Sequence, residues 1–294
     1  MLPLVAAALG FGALAWRTLH LRAVARAAKQ SRTFGPDGIV VGGEGFALPR
    51  DGAPALLLLH GGGDTPQTLR YLGDSLHQRG FAVRAPLLPG HGRTLEDFRQ
   101  VTADQLIGAV RAEFDELRAR HTWAGVIGIS MGGALAVQLA AEASTVRAVG
   151  LIAPYLAMPP HIATAAKWAW LWGPVKPLLR SDDGVSIRDP IEQDRNLAYG
   201  VFTASGLAAL SRIVERAVAV LPRVTAPTIM IQSREDNRVT VADGERAFAR
   251  LGSSDKRLEW MNGAAHVITV DYGRERVFEL LGDWMEAHHA QSAR

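Results

Sequence analysis

From Ala55 the chain settles into an alternation of two hydrophobic patterns. Ala55 to Leu59 is a continuous apolar run that ends in His60 and three glycines, the pattern of a buried strand feeding a tight loop. Between Thr68 and Arg79, Leu69, Leu72 and Leu76 make a helical stripe, and Gly80 stops it. Phe81 to Ala85 reads as a second strand. Thr102 followed by Gln105 is a capping box that opens a helix to about Arg120. Gly125 to Ile129 is predicted strand, Gly132 to Ala143 helix, and Val146 to Ile152 strand. After a break, Thr228 to Ile231 and Arg257 to Met261 are predicted strands, with helices at Val241 to Leu251 and Arg274 to His288. Strands alternating with helices imply right-handed βαβ units and a mainly parallel sheet flanked by helices, an α/β fold.

The rhythm breaks between Pro154 and Pro222, a helix-like apolar stretch interrupted by Pro159, Pro160, Pro174 and Pro177. It reads as a small helical cap, residues 155–222, inserted over a core made of residues 31–154 and 223–294. Gly35 to Gly45 is rich in glycine and reads as linker and tight turns.

The amino terminus differs from the rest. Leu2 to Trp16 carries no charge, and Arg17, Arg22, Arg26, Lys29 and Arg32 follow it without an acid. Secretory signals place their positive charges before the apolar run, the reverse of this order. Fifteen helical residues reach only about 22 Å, short of the hydrocarbon core; including Thr18 to Leu21, with Arg17 and Arg22 snorkelling, brings the run near a minimal span. Residues 1–30 are therefore expected to associate with a membrane surface and to leave the body on the cytoplasmic side. Those five basic residues also account for the net charge of +3, because 27 basic residues then face 29 acidic ones. A nucleic-acid partner would need basic residues clustered on the folded body, so none is expected. The chain contains no cysteine, which removes disulfides, thiolate metal sites and cysteine nucleophiles.

The candidate chemistry is carried by Gly128 to Gly132, a G-x-S-x-G sequence with Ser130 at its centre. A nucleophilic serine must stand exposed on a sharp strand-to-helix turn, and small neighbours let the backbone take that path. Random placement at this composition gives about 0.12 such matches per chain; the apolar strand before Ser130 and the alanine-rich helix after it make the match specific. A nucleophile of this kind meets its acid and then its base later in the chain. His266, after the last predicted strand in a loop of small residues, is the candidate base. His60 and His91 sit beside glycines ahead of the nucleophile and read as loop-structuring. Asp236 lies just past the strand at Thr228 to Gln232 and is the candidate acid, favoured for its shorter side chain over the adjacent Glu235, which spacing alone leaves open. Two N–H donors must stabilise an oxyanion; the backbone of Met131 and, from the glycine loop, Gly62 are the candidates. Trp168, Trp170 and Trp172 cannot all face one way on a regular helix, and at least one is assigned to the substrate passage. No zinc motif and no P-loop occurs, and no metal or cofactor is expected.

Five blocks, Leu57 to Gly62 (LLLHGG), Ala85 to Gly92 (APLLPGHG), Gly128 to Gly133 (GISMGG), Ala226 to Gln232 (APTIMIQ) and His266 to Asp271 (HVITVD), resemble successive motifs of bacterial carboxylesterases and monoacylglycerol lipases of the α/β-hydrolase superfamily. The resemblance spans about Ala53 to Glu286. It implies an α/β-hydrolase fold and cleavage of small or lipid-like carboxylic esters through an acyl-enzyme. It places the acid four residues beyond Gln232, at Asp236, and the second oxyanion donor after His60 and Gly61, at Gly62. Many members carry a bulkier residue at that last position, and the cap is the least similar part. Two other readings fit the same residues: acyl transfer to an alcohol, and a non-catalytic binding protein on the same fold. A complete Ser130, Asp236 and His266 set argues against the second.

Overall fold

A computed structural model describes residues 33–180 and 186–292, with positions 10, 12, 14–19, 21 and 22 nearer the amino terminus. The segment expected to meet a membrane, residues 1–30, thus lies largely outside the described residues. Its described positions are helical and leave Leu14, Trp16 and Leu19 exposed. No helix among the described residues is long and apolar enough to cross a membrane.

In chain order the first half of the body comprises β1 (Phe46–Leu48), β2 (Ala55–Leu59), α1 (Arg70–Gln78), β3 (Ala82–Ala85), α2 (Leu95–Arg99), α3 (Ala103–Arg120), β4 (Ala124–Ile129), α4 (Met131–Glu142) and β5 (Val149–Ile152). The inserted region holds α5 (Pro160–Lys167), α6 (Ala169–Trp172), β6 (Leu178–Arg180), α7 (Pro190–Arg195), β7 (Val201–Thr203) and α8 (Ala204–Val220). The chain then closes with β8 (Thr228–Ser233), α9 (Val241–Arg250), β9 (Lys256–Met261) and α10 (Arg274–Ser292). Seven strands form one sheet in the order β1-β3-β2-β4-β5-β8-β9; β1 runs antiparallel to β3 and the other neighbours run parallel.

The apolar run in β2 shows why the sheet forms. Alternate residues of a strand face opposite sides, and both sides here are covered. Leu57 and Leu59 pack with Phe114 of α3, Leu135 of α4 and Ile213 of α8. Leu56 and Leu58 pack with Leu72 of α1 and Leu281 of α10 on the other face. Each buried leucine contributes about 1.5–3 kcal/mol, so a run of four fixes this strand at the centre.

Three features differ from the sequence pattern. β1 and α2 were not expected: β1 is a half-buried three-residue edge with no periodic signal, and α2 has only five residues, although Thr94 and Asp97 form a capping box in front of it. The inserted region contains an antiparallel ribbon, β6 with β7, rather than helices alone. Its last helix, α8, buries Ala209, Ile213 and Ala217 in the apolar layer with α3 and α4, so the stretch that stands over the sheet ends before α8 rather than at residue 222. The glycine-rich turns before β1 are tied to the body, because Val40 is buried and its N–H donates to Gly92 O.

Helix α3 yields two opposite expectations. Thr102 accepts from Gln105 N while Gln105 Oε1 accepts from Thr102 N, so Thr102→Ala is expected to cost about 1 kcal/mol. Gly108 is exposed in the same helix, and a Cβ there meets nothing within 4 Å; Gly108→Ala is expected to gain up to about 1 kcal/mol. Urea denaturation midpoints read both signs.

Candidate active site

Strands β2 and β4 are hydrogen-bonded neighbours, with Leu59 opposite Gly128. From β2 the chain turns to β3 on one side, while β4 passes on to β5 on the other. Such a reversal opens a crevice at the carboxyl ends of the strands. The glycine loop 61–63 leaves β2 at this crevice, and Ser130 leaves β4 beside it.

Ser130 adopts φ 54°, ψ −118°, a conformation that costs a side-chain-bearing residue about 1–3 kcal/mol. The surroundings over-determine it. Ser130 N–H donates to Ile152 O, and Ser130 O accepts from Gly133, Ala134 and Tyr155 N–H. A Cβ at Gly128 would lie 2.2 Å from Gly132 O, and one at Gly132 would lie 2.1 Å from Leu59 O. Both glycines are therefore required by backbone packing itself. Met131 begins α4, where helix N–H groups have no intrahelical partner. A Cβ on Gly62 would fall 3.3 Å from Met131 Sδ, so the two residues chosen as oxyanion donors are packed side by side.

His266 Nε2 lies 2.8 Å from Ser130 Oγ, and His266 Nδ1 lies 2.8 and 3.0 Å from Asp236 Oδ2 and Oδ1. The Asp236 side chain is fully buried and also accepts from Arg238 and Val239 N–H. With the carboxylate accepting at Nδ1, the imidazole presents a lone pair to the serine hydroxyl. Glu235 turns elsewhere: Oε2 accepts from Gly263 N–H, in the loop that carries His266. Spacing could not separate these two acids; the structure brings Asp236 to the histidine and gives Glu235 to the loop.

A small apolar cavity runs from Gly62 and Met131 between Phe98 of α2, Val101, Leu106 of α3, Phe202 of β7 and Leu210 of α8. The three tryptophans are not brought to it. Trp168 and Trp170 are exposed, and Trp172 donates from Nε1 to Ala165 O. The aromatic walls are Phe98 and Phe202 instead, and a capping box ahead of α2 was the one signal that could have located Phe98. Among the described residues no group of three or more His, Asp or Glu side chains could hold a metal ion.

Residues 52–272 match the protein family Hydrolase_4, described as serine aminopeptidase, S33. The chain belongs to this family. Similar proteins include the thermostable monoacylglycerol lipase of Bacillus sp. (strain H-257), 27% identical over 85% of this chain and 97% of that protein. The carboxylesterase of Bacillus subtilis (strain 168) is 23% identical over 81% and 94%. Among solved structures, one of the metagenome-derived lipolytic enzymes LipS and LipT superposes with TM-score 0.75 at 28% identity, covering 86% of this chain and 100% of its own. The monoacylglycerol lipase of Paleococcus ferrophilus shares the fold, with TM-score 0.71 at 22% identity over 83% and 99%. The Hydrolase_4 architecture, a mainly parallel sheet flanked by helices, thus agrees with the motif resemblance.

In this Hydrolase_4 member three buried ionisable groups surround the glycine loop. His60 Nδ1 bonds Gly61 O and its Nε2 accepts from Leu88 N–H, which joins the loop to the strand β3 exit. Burial and the neighbouring His91 hold His60 well below the ordinary imidazole value; burial lowers His91 to about 4. Both are neutral loop supports, as their positions suggested. Asp64 accepts from Thr65 N–H and Thr68 Oγ1. Burial nonetheless pushes its carboxyl up to about 6, against those two bonds and the attraction of His266.

The sign of the resulting pH dependence follows from linkage. An unfolded aspartate titrates near 3.9, about two units lower. Between about pH 4 and 6 the folded chain keeps a proton that the unfolded chain has lost, so this group lowers stability as pH rises through that window. Asp64→Asn removes the charge and keeps an acceptor for Thr65. It is expected to be more stable than the parent by on the order of 2–3 kcal/mol at pH 8 and equal to it at pH 4, by urea denaturation at both values.

Proposed function

We propose that this Hydrolase_4 member is a serine esterase acting on short to medium acyl or monoacylglycerol-like carboxylic esters, with Ser130, His266 and Asp236 as its catalytic triad. The observation that carries this is the unbroken hydrogen-bonded sequence from Ser130 Oγ through both nitrogens of His266 to Asp236. As Ser130 Oγ bonds to the ester carbonyl carbon, its proton passes to His266 Nε2, and Asp236 stabilises the imidazolium. The carbonyl oxygen becomes an oxyanion beside the Gly62 and Met131 N–H groups. Its collapse breaks the bond to the alcohol oxygen, which leaves with the proton from His266, and Ser130 keeps the acyl group. Water repeats the sequence and releases the acid.

Ester rather than amino-terminal peptide substrates are favoured by the cavity beside Ser130, whose lining among the described residues is apolar apart from the neutral His91 and includes no carboxylate to receive a free amine. The relatives named as monoacylglycerol lipase and carboxylesterase, aligned over more than four-fifths of the chain, point the same way. The test is hydrolysis of p-nitrophenyl esters of increasing acyl length and of a monoacylglycerol, beside aminoacyl p-nitroanilides. Esters are expected to be turned over and anilides not. Ser130→Ala is expected to abolish hydrolysis with the fold intact. Asp236→Asn is expected to lose activity by about 10⁴-fold, and Glu235→Gln far less. The reverse order of those two acids would transfer the orienting role to Glu235.

We also propose that residues 1–30 hold the enzyme at a lipid surface without touching its chemistry. The support is the uncharged run Leu2 to Trp16, the basic residues behind it, and the exposure of Leu14, Trp16 and Leu19. Deleting residues 1–30 is expected to abolish co-sedimentation with anionic vesicles while leaving kcat on a soluble short-chain ester within about twofold, since burial of an anchor does not act on the acyl-transfer barrier.

A further inference from the structure

His266 stands on a loop with two owners. On one side of the imidazole the backbone is held by the sheet: Ser233 Oγ, at the end of β8, donates to Ala264 O, and Gly263 N–H donates to Glu235. The residues that flank His266 directly are held differently. Val267 N–H donates to Ser186 O at 2.9 Å, and Ala265 N–H donates to Asp271 Oδ2 at 2.7 Å. Ser186 belongs to the inserted cap, in the segment leading into α7, and Asp271 ties that same segment down. Its Oδ2 also accepts from Arg188 N–H and its Oδ1 from Asp189 N–H, each at 3.0 Å, with Tyr272 N–H completing Oδ1. Asp271 is buried, so these four amides take the place of water around its carboxylate.

The far side of the cap segment is anchored as well. Gln193 Nε2 donates to Ile187 O, and the buried Glu192 accepts from Tyr71 of α1 and pairs with Arg274 of α10. A displacement of residues 186–189 is therefore passed to both neighbours of the imidazole through short hydrogen bonds rather than absorbed by a slack loop.

Resting on the triad reading above, we propose that Asp271 is a positioning residue that makes the cap part of the catalytic apparatus: through its carboxylate, segment 186–189 sets where His266 stands relative to Ser130. The cap then governs the rate of acyl transfer as well as the fit of the substrate. A loop pin serving only stability would leave turnover of a small substrate untouched.

The experiment approaches the coupling from both ends, on a small, soluble ester that makes little use of the cap for binding. At the cap end, Asp189 has φ −64°, which proline accepts. Asp189→Pro deletes the amide that reaches Asp271 together with the side-chain cap of α7. Asp189→Ala deletes that side-chain cap alone. The proline variant is expected to lose kcat about tenfold or more relative to the alanine variant, with KM within about twofold, because small misplacement of a catalytic group costs rate on this scale. At the other end, Asp271→Asn turns an acceptor into a donor facing N–H groups, and is expected to lower kcat, and the rate at which a fluorophosphonate labels Ser130, by at least as much. Rates are taken well below each variant's melting temperature, so that lost folding is not read as lost chemistry. If the aspartate-to-asparagine variant does not fold, the Asp189 pair decides alone. Equal kcat for Asp189→Pro and Asp189→Ala, or an effect confined to KM or to melting temperature, overturns the proposal. Hydrolysis that survives Ser130→Ala would instead defeat the triad reading on which it stands.

Discussion

The amino end of α4 must press against the end of β2, and the rest of the site depends on that contact. Ser130 can present its hydroxyl only from a strained turn, and strain persists only where neighbours leave no alternative. Here the neighbours are backbone atoms: a Cβ on Gly132 would lie 2.1 Å from Leu59 O. The same approach lays Met131 against Gly62 and so brings two loop ends, separated in sequence by α1, β3, α2, α3 and β4, to one point. One close contact thereby exposes the Ser130 hydroxyl and sets beside it the Gly62 and Met131 amides proposed to meet a developing oxyanion. The cost of the turn is offset by the leucines of β2, which are buried on both faces of the sheet and fix the surface against which α4 is pressed.

Four carboxylates surround His266 or its loop, and their environments assign them different work. Asp236 meets Nδ1 directly while two backbone amides hold it still. Glu235, one residue earlier, reaches Gly263 and fixes the loop's approach. Asp271 receives four amides and joins the loop to the cap. Asp64, beside the glycine loop, has Thr65 and Thr68 among the described residues to replace its hydration, and burial pushes its carboxyl upward. Desolvation and hydrogen bonding act with opposite signs on such groups.

What was legible in the sequence follows the range of the interactions involved. β2, β4 and the turn at Ser130 were readable because a continuous apolar run and a glycine pair report local constraints, and the α3 capping box is a pattern four residues long. His266 was legible from its place after the last strand. Spacing alone left Asp236 and Glu235 open, since adjacent residues on a turn diverge in direction and spacing carries no direction; only side-chain length and the motif resemblance favoured Asp236. β1 and the β6–β7 ribbon were hidden because three-residue strands hold no period to detect. α8 was read with the cap because apolar helices look alike in sequence whether they cover a sheet or stand above it.

The tryptophans show the same limit from the other side. Three of them in five positions suggested a lined passage, but α6 is a single short turn of four residues and cannot sort its faces as a longer helix would. Trp172 spends its indole N–H on Ala165 O, and Trp168 and Trp170 lie tilted against one another at the surface. Phe98 lines the cavity instead because it is wedged between His91 and Tyr199, with ring centroids 5.0 and 4.8 Å away, and Tyr199 is itself fixed by its hydroxyl, which accepts from Arg93 N–H and donates toward the carbonyls of Gly90 and Arg93. An aromatic side chain becomes a wall when other groups remove its freedom, and that depends on residues a hundred positions away. Residue type announces the chemistry of such a site, whereas the holding of each group, down to the amides around Asp271, is written in contacts between distant segments.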